Sequence, residues 1–222
     1  MYKMKLVYFN ARGLAETSRL LLAVNKVEYD DFRYPLKIID WATHNMVKEE
    51  FEADKKNDKL LGSLNKVPFL VLDSGDVLPQ SKSIERYLAN EYNMMGDSAV
   101  EAAKIDSICE CVRDFKDAYQ TVRKLPENEK EAGMTKWFDE TLFNKLKLLN
   151  NVLCKKHSHF SVGDKLSLAD VVLYSFVTQF FDNKAGALKS CESSPHLEKI
   201  IKHVSNLDEV KSWLNKRPET AF

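Results

Sequence analysis

Two hydrophobic rhythms divide this chain, and the point where one replaces the other limits what it can fold into. Up to Tyr92, short β-type runs alternate with helical stretches; beyond Asp97, only helical spacing survives. Lys5 to Phe9 reads as a strand, Leu14 to Val24 as a helix with apolar residues at 14, 20, 21 and 24, and Glu28 to Tyr34 as a second extended run. After a charged, helix-prone stretch, Val67 to Leu72 is a buried strand. Asp73 to Asp76 supplies turn chemistry, and Val77-Leu78 completes a hairpin. Ser81 or Ser83 can cap the next helix, which carries Ile84, Tyr87 and Leu88.

The segment Asn93 to Asp97 breaks this pattern. Past it, Ile105, Ile108, Val112, Phe115, Tyr119 and Val122 are spaced three and four apart, the stripe of a long amphipathic helix. Phe138, Leu142, Leu146, Leu149 and Leu153 repeat it. The expected architecture is an α/β domain over residues 1–93, in the order βαβαββα, followed by an all-α helical bundle over 97–222. Within the bundle, Ser167 and Asp170 precede the apolar run from Val171 to Tyr174 and fit a capping box, so Asp170 is read as structural.

Composition narrows the function by exclusion. Lys+Arg and Asp+Glu are both 33, so no basic excess points to nucleic acid or to an anionic membrane. No apolar run reaches the 18 residues of a membrane span, and the first residues lack the pattern of a signal peptide; a cytoplasmic location is expected. Cys109, Cys111, Cys154 and Cys191 lack C-x-x-C spacing, which disfavours both a zinc site and a glutaredoxin-type reductase. No metal is expected.

The run from Lys5 to Glu16 (KLVYFNARGLAE) resembles the opening of the glutathione S-transferases, most nearly the sigma class that includes hematopoietic prostaglandin D synthase, with the mu, pi and alpha classes next. The likeness continues through Trp41, Lys66-Val67-Pro68, Gln80-Ser81, the capping box and Val210 to Pro218 (VKSWLNKRP). It implies a thioredoxin-like first domain, glutathione as co-substrate, a hydrophobic electrophile as second substrate, and a homodimer. The expected role is conjugation, as in detoxification. The reading from another class is a transferase-like binder of apolar ligands or interaction module with turnover lost.

The chemistry such a site must perform can be stated without the family. A thiol of pKa about 8.5 is only a few per cent thiolate at neutral pH, yet the thiolate is the nucleophile. A phenol hydroxyl aimed at the sulfur favours the anion; lowering its pKa by about 2 units requires about 2.7 kcal/mol, within reach of one or two charge-assisted hydrogen bonds. The resemblance assigns this donor to Tyr8, whose ordinary alternative is a strand tyrosine that merely packs. It also implies that Val67, before a cis Pro68, offers its backbone to the cysteinyl part of glutathione, the alternative being a trans proline opening a strand. By the same resemblance Gln80 and Ser81, at a helix start, are expected to hold the γ-glutamyl carboxylate; the alternative is a plain N-cap serine, and one helix start can serve both. The resemblance likewise implies that Trp41 and Lys66 reach the glycine carboxylate, the alternatives being a core tryptophan and a solvated lysine, and that Asp114, eight residues after Asp106, reaches the γ-glutamyl amino group in the neighbouring subunit, the alternative being a surface acid on an amphipathic helix.

Two departures from the family pattern stand out. Trp41 and Lys66 are 25 apart, more than the sigma class has, with a charged insertion from Met46 to Lys59 expected as an exposed helix or loop. Any of Lys48, Lys55, Lys56 or Lys59 could supply a further lysine there. Leu14 stands where several classes place an arginine, so thiolate stabilisation rests more on Tyr8, with Arg12 or water as helpers, and prostaglandin isomerase activity is harder to argue. The electrophile is expected among Phe9, Leu14, Cys111, Phe115 and Ala118, mainly apolar residues.

Overall fold

A computed structural model describes residues 4–40, 45–153 and 159–220. The chain divides into two compact units, residues 1–88 with 212–222 and residues 89–211. The first unit follows the thioredoxin-like plan, and the second is helical.

In the first unit β1 (Lys5–Phe9) leads through a short 3-10 turn, Gly13–Ala15, into α1 (Glu16–Val24). The helix therefore begins two residues later than the apolar spacing suggests, because Gly13 has a positive φ of 39° and the chain turns before it winds. There follow β2 (Asp30–Tyr34), a hairpin of β3 (Lys37–Asp40) and β4 (Asn45–Val47), α2 (Glu49–Lys56), β5 (Phe69–Val71), β6 (Val77–Pro79) and α3 (Ser81–Glu91). Part of the charged insertion is thus a strand, and the rest contains a helix whose Phe51 is buried while Glu52, Lys55 and Lys56 stay exposed.

The main sheet has the order β2-β1-β5-β6. β1 runs parallel to β2, with Phe9 opposite Tyr34, and antiparallel to β5, with Val7 opposite Phe69; β5 runs antiparallel to β6, with Phe69 opposite Pro79. Side chains alternate between the two faces. On one face Val7, Tyr34, Phe51, Leu60 and Phe69 form a buried cluster, with Phe51 edge-on to Phe9 at 5.2 Å and to Tyr34 at 5.6 Å. Burying a side chain of that size contributes roughly 2–3 kcal/mol. Leu6 and Leu70 alternate to the other face and are fully buried, as are Leu20, Leu21 and Leu22 of α1 and Ile84 and Leu88 of α3.

In the second unit α4 (Ala99–Arg123) starts at Ser98, whose hydroxyl accepts from the Glu101 backbone N–H at 3.2 Å. It buries Ile105, Ile108, Val112, Phe115 and Tyr119, the stripe read from spacing; Val122 at its end is only half-buried. α5 (Glu127–Lys136) passes through a π-helical turn, Trp137–Leu142, into α6 (Phe143–Asn150). The wider turn keeps Trp137, Phe138 and Leu142 all buried. α7 (Leu168–Ser175) is buried along its whole length, and Ser167 with Asp170 makes the expected capping box at its start. The Asp170 carboxylate accepts from the backbone N–H of Ser161 at 2.6 Å, and from the N–H and hydroxyl of Ser167 at 2.7 and 2.8 Å. Burial pushes this carboxyl up to about 6, against hydrogen bonds that favour the anion. A second π-helical turn (Phe176–Phe180), α8 (Lys184–Lys189) and α9 (Pro195–Asn206) complete the unit, and α10 (Asp208–Lys216) runs into the carboxy-terminal stretch that packs with the first unit.

Candidate functional site

The sheet registers bring four stretches of backbone to one edge of the first unit. β1 and β2 end there, β5 begins there, and β6 ends there, because Val7, Phe69 and Pro79 lie in one row across three strands. Tyr8 is therefore level with the residues just before β5, Val67-Pro68, and these are level with the residues just after β6, Gln80-Ser81. Adjacent strands are about 4.8 Å apart, so the row from β1 to β6 spans about 10 Å. An extended tripeptide has about that length.

Tyr8 is 8% exposed, and its hydroxyl oxygen accepts from the backbone N–H of Leu14 at 3.2 Å. That bond occupies a lone pair and leaves the phenol proton available to a second partner. The Tyr8 pKa is raised, chiefly by burial, while the Leu14 N–H and the charge of Arg19 pull it down. A neutral phenol is what a hydrogen-bond donor at neutral pH requires.

Three features around Tyr8 escape a reading of side chains alone. Leu14 stands out in the sequence for its side chain, which is 52% exposed, yet its contact with Tyr8 is through the backbone. Gly13 lies against the phenol so closely that a Cβ there would stand 2.6 Å from Tyr8 Oη. Arg19, fully buried, has its guanidinium carbon 5.9 Å from the centre of the Tyr8 ring. A visible signal for Arg19 is its place three residues after Glu16 and directly before Leu20, Leu21 and Leu22, on a helix that also buries Glu16, Thr17 and Ser18.

The other expected residues divide by unit. The Val67-Pro68 bond is cis, and Val67 lies outside the strand ladder, which starts at Phe69, so its N–H and C=O are not committed to the sheet. Gln80 is exposed and has a φ of 75°, a conformation that costs a non-glycine residue on the order of 1–3 kcal/mol and gathers at functional sites. Ser81 follows as the first residue of α3, where the N–H groups and dipole of a helix start favour an anion. Lys66 is exposed at the same edge. Trp41 lies outside the described residues. Lys48 pairs with Glu52 at 3.0 Å and Lys59 with Asp54 at 2.7 Å, so both are engaged within their own segment.

Asp114 belongs to the second unit, exposed on α4 with Arg113 at 3.6 Å. Phe115 on the same helix is buried, and Cys111 and Ala118 are half-buried. Burial raises the Cys111 thiol pKa, with Asp114 adding to the effect. Among the described residues no group of three or more His, Cys, Asp or Glu could hold a metal ion, and no helix is long and apolar enough to cross a membrane.

Comparison with known proteins follows the same division. Residues 4–90 match the family model described as glutathione S-transferase, N-terminal domain, and residues 113–217 match glutathione S-transferase, C-terminal domain. Glutathione S-transferase 1 of Ascaris suum is 31% identical over the whole of both chains. Among solved structures, a Fasciola hepatica sigma class transferase aligns over 99% of each chain with a TM-score of 0.78 and 26% identity. A transferase from the hookworm Necator americanus, described as monomeric, aligns over 99% of this chain and all of its own, with a TM-score of 0.81 and 25% identity.

Proposed function

The chain belongs to the glutathione S-transferase family, and from that premise we propose that Tyr8 is the residue that activates the thiol of bound glutathione. The family activity is transfer of glutathione, through its sulfur, to an electrophile. In this reading the Tyr8 hydroxyl donates to the sulfur and stabilises the thiolate, whose proton leaves to solvent. The sulfur then forms a bond to an electrophilic carbon, and the leaving group departs with the bonding pair. Val67 holds the cysteinyl backbone, Gln80 and Ser81 take the γ-glutamyl carboxylate, and Lys66 with Trp41 takes the glycine carboxylate.

The observation that carries the assignment is the hydrogen bond from Leu14 N–H to Tyr8 Oη. It fixes the phenol oxygen and leaves the proton free to be donated to a second partner. The direct test is turnover with a generic aromatic electrophile. Tyr8→Phe keeps the ring and removes the donor, and a loss of about a hundredfold in kcat/KM is expected. Turnover equal to wild type would remove Tyr8 from the mechanism.

The reading extends to a sigma-like class, supported by the Fasciola likeness, and to a homodimer, in which Asp114, exposed on α4, reaches the γ-glutamyl amino group bound by the partner. A solution mass near one 25.5 kDa chain would cancel that role. A cytoplasmic location is supported by Cys109, Cys111 and Cys191 standing as free thiols. The second substrate in this reading is an apolar electrophile, with detoxification as the role such a substrate suggests.

A further inference from the structure

A fully buried guanidinium is costly unless carboxylates and carbonyls surround it, so the contacts of Arg19 reveal what the fold uses it for. Its Nε donates to Asp31 Oδ1 at 3.1 Å, its Nη1 donates to the Ala11 carbonyl at 2.6 Å, and Nη1 stands 3.6 Å from Glu16 Oε2. Ala11 belongs to the short segment that returns from β1 over Tyr8. The next residue but one is Gly13, pressed on the phenol, and then comes Leu14, the donor to its oxygen.

The network does not end at Arg19. Glu16, 2% exposed, accepts from the indole N–H of Trp213 at 2.9 Å and from Arg217, both in the carboxy-terminal stretch of the same unit. Asp31 is held from its other side by Arg33, with Nε at 2.8 Å and Nη2 at 2.7 Å. The charged groups around Arg19 are thus Glu16, Asp31, Arg33 and Arg217.

We infer that Arg19 is a positioning residue for Tyr8: by holding the Ala11 carbonyl it sets the 11–14 segment so that the Leu14 N–H meets the phenol oxygen, and Trp213 with Arg217 fixes Arg19 through Glu16. The carboxy-terminal stretch is then part of the activation of glutathione, acting through Glu16 and Arg19. This rests on the reading of Tyr8 given above.

The test is a mutant cycle on the full chain. Arg19→Lys and Trp213→Phe are made alone and in the Tyr8→Phe background, and kcat/KM for conjugation is measured from pH 6 to 9. A small misplacement of the donor predicts that each single variant loses about tenfold near pH 6.5. The deficit shrinks toward pH 9 as the thiol ionises unaided, and the dissociation constant of glutathione stays within about twofold. In the Tyr8→Phe background the same substitutions change nothing. Trp213→Phe keeps one aromatic ring while removing the N–H donor with the second ring of the indole, and it carries the test if Arg19→Lys does not fold. Equal losses in both backgrounds, or no loss in either, overturn the inference and leave Arg19 a packing element. Tyr8→Phe alone turning over like wild type is a different failure, that of the Tyr8 reading, and is seen without any change at Arg19.

Discussion

A methyl group on Gly13 would stand 2.6 Å from the hydroxyl oxygen of Tyr8, at a residue whose φ is already 39°. Gly13→Ala is strained both by backbone conformation and by contact with the phenol. A stability loss of about 1–3 kcal/mol is expected in thermal or urea unfolding. The folded fraction should conjugate about tenfold more slowly, because relief of the contact moves Tyr8 away from its sulfur. A variant that keeps wild-type turnover per folded molecule would show that the phenol position has slack.

Burial raises the Tyr8 pKa above its ordinary 10, outweighing the Leu14 N–H and Arg19. The sign follows from linkage: a group whose folded pKa is raised contributes stability that is whole below about pH 10 and is lost as pH rises through the folded value. Across pH 6–9, then, Tyr8 stays a neutral phenol, and the single ionisation in the rate profile belongs to the glutathione thiol. Tyrosinate absorbance compared between wild type and Tyr8→Phe checks this. A tyrosinate signal below pH 9 that the substitution abolishes would contradict it.

Ser81 opens α3 directly after the strained Gln80, and its proposed work is binding rather than chemistry. Ser81→Ala removes a hydroxyl donor to a carboxylate, an interaction of about 1.5–3 kcal/mol. The KM for glutathione should rise about tenfold or more, with kcat at saturation nearly unchanged, the signature of binding lost equally from ground and transition states. A fall confined to kcat would assign Ser81 to a different task.

Asp170 is fully buried and holds the backbone of Ser161 and the start of α7. Asp170→Ala leaves buried donors unsatisfied and should cost about 3 kcal/mol or more, read as a drop in the unfolding midpoint. Protein that remains folded should keep its KM for glutathione. A large change in kcat without loss of stability would place Asp170 in the chemistry after all.

What the sequence disclosed and what it withheld follow from the range of the interactions. The capping box at Ser167 and Asp170 and the buried stripe of α4 were readable because each is decided within a few turns of one helix. The Tyr8, Val67-Pro68 and Gln80-Ser81 strings were readable as a resemblance, and the registers explain why such distant strings occupy one edge. The β3-β4 hairpin was missed because strands of four and three residues beside a charged run leave too few positions for alternation to be visible. Glu16 and Trp213 are 197 residues apart, and nothing local marks them as partners. The Leu14 donor was invisible for another reason: every residue except proline has a backbone N–H, so only a folded chain reveals which one meets a phenol.

The central claim is that Tyr8 lowers the pKa of the glutathione thiol, and thiolate absorbance of the bound tripeptide measures this without any second substrate. Titrated on wild type and on Tyr8→Phe at saturating glutathione, the thiol should ionise about 2 units below its free value of about 8.5 in the first and close to that free value in the second. Equal thiol pKa values in the two proteins would contradict the account.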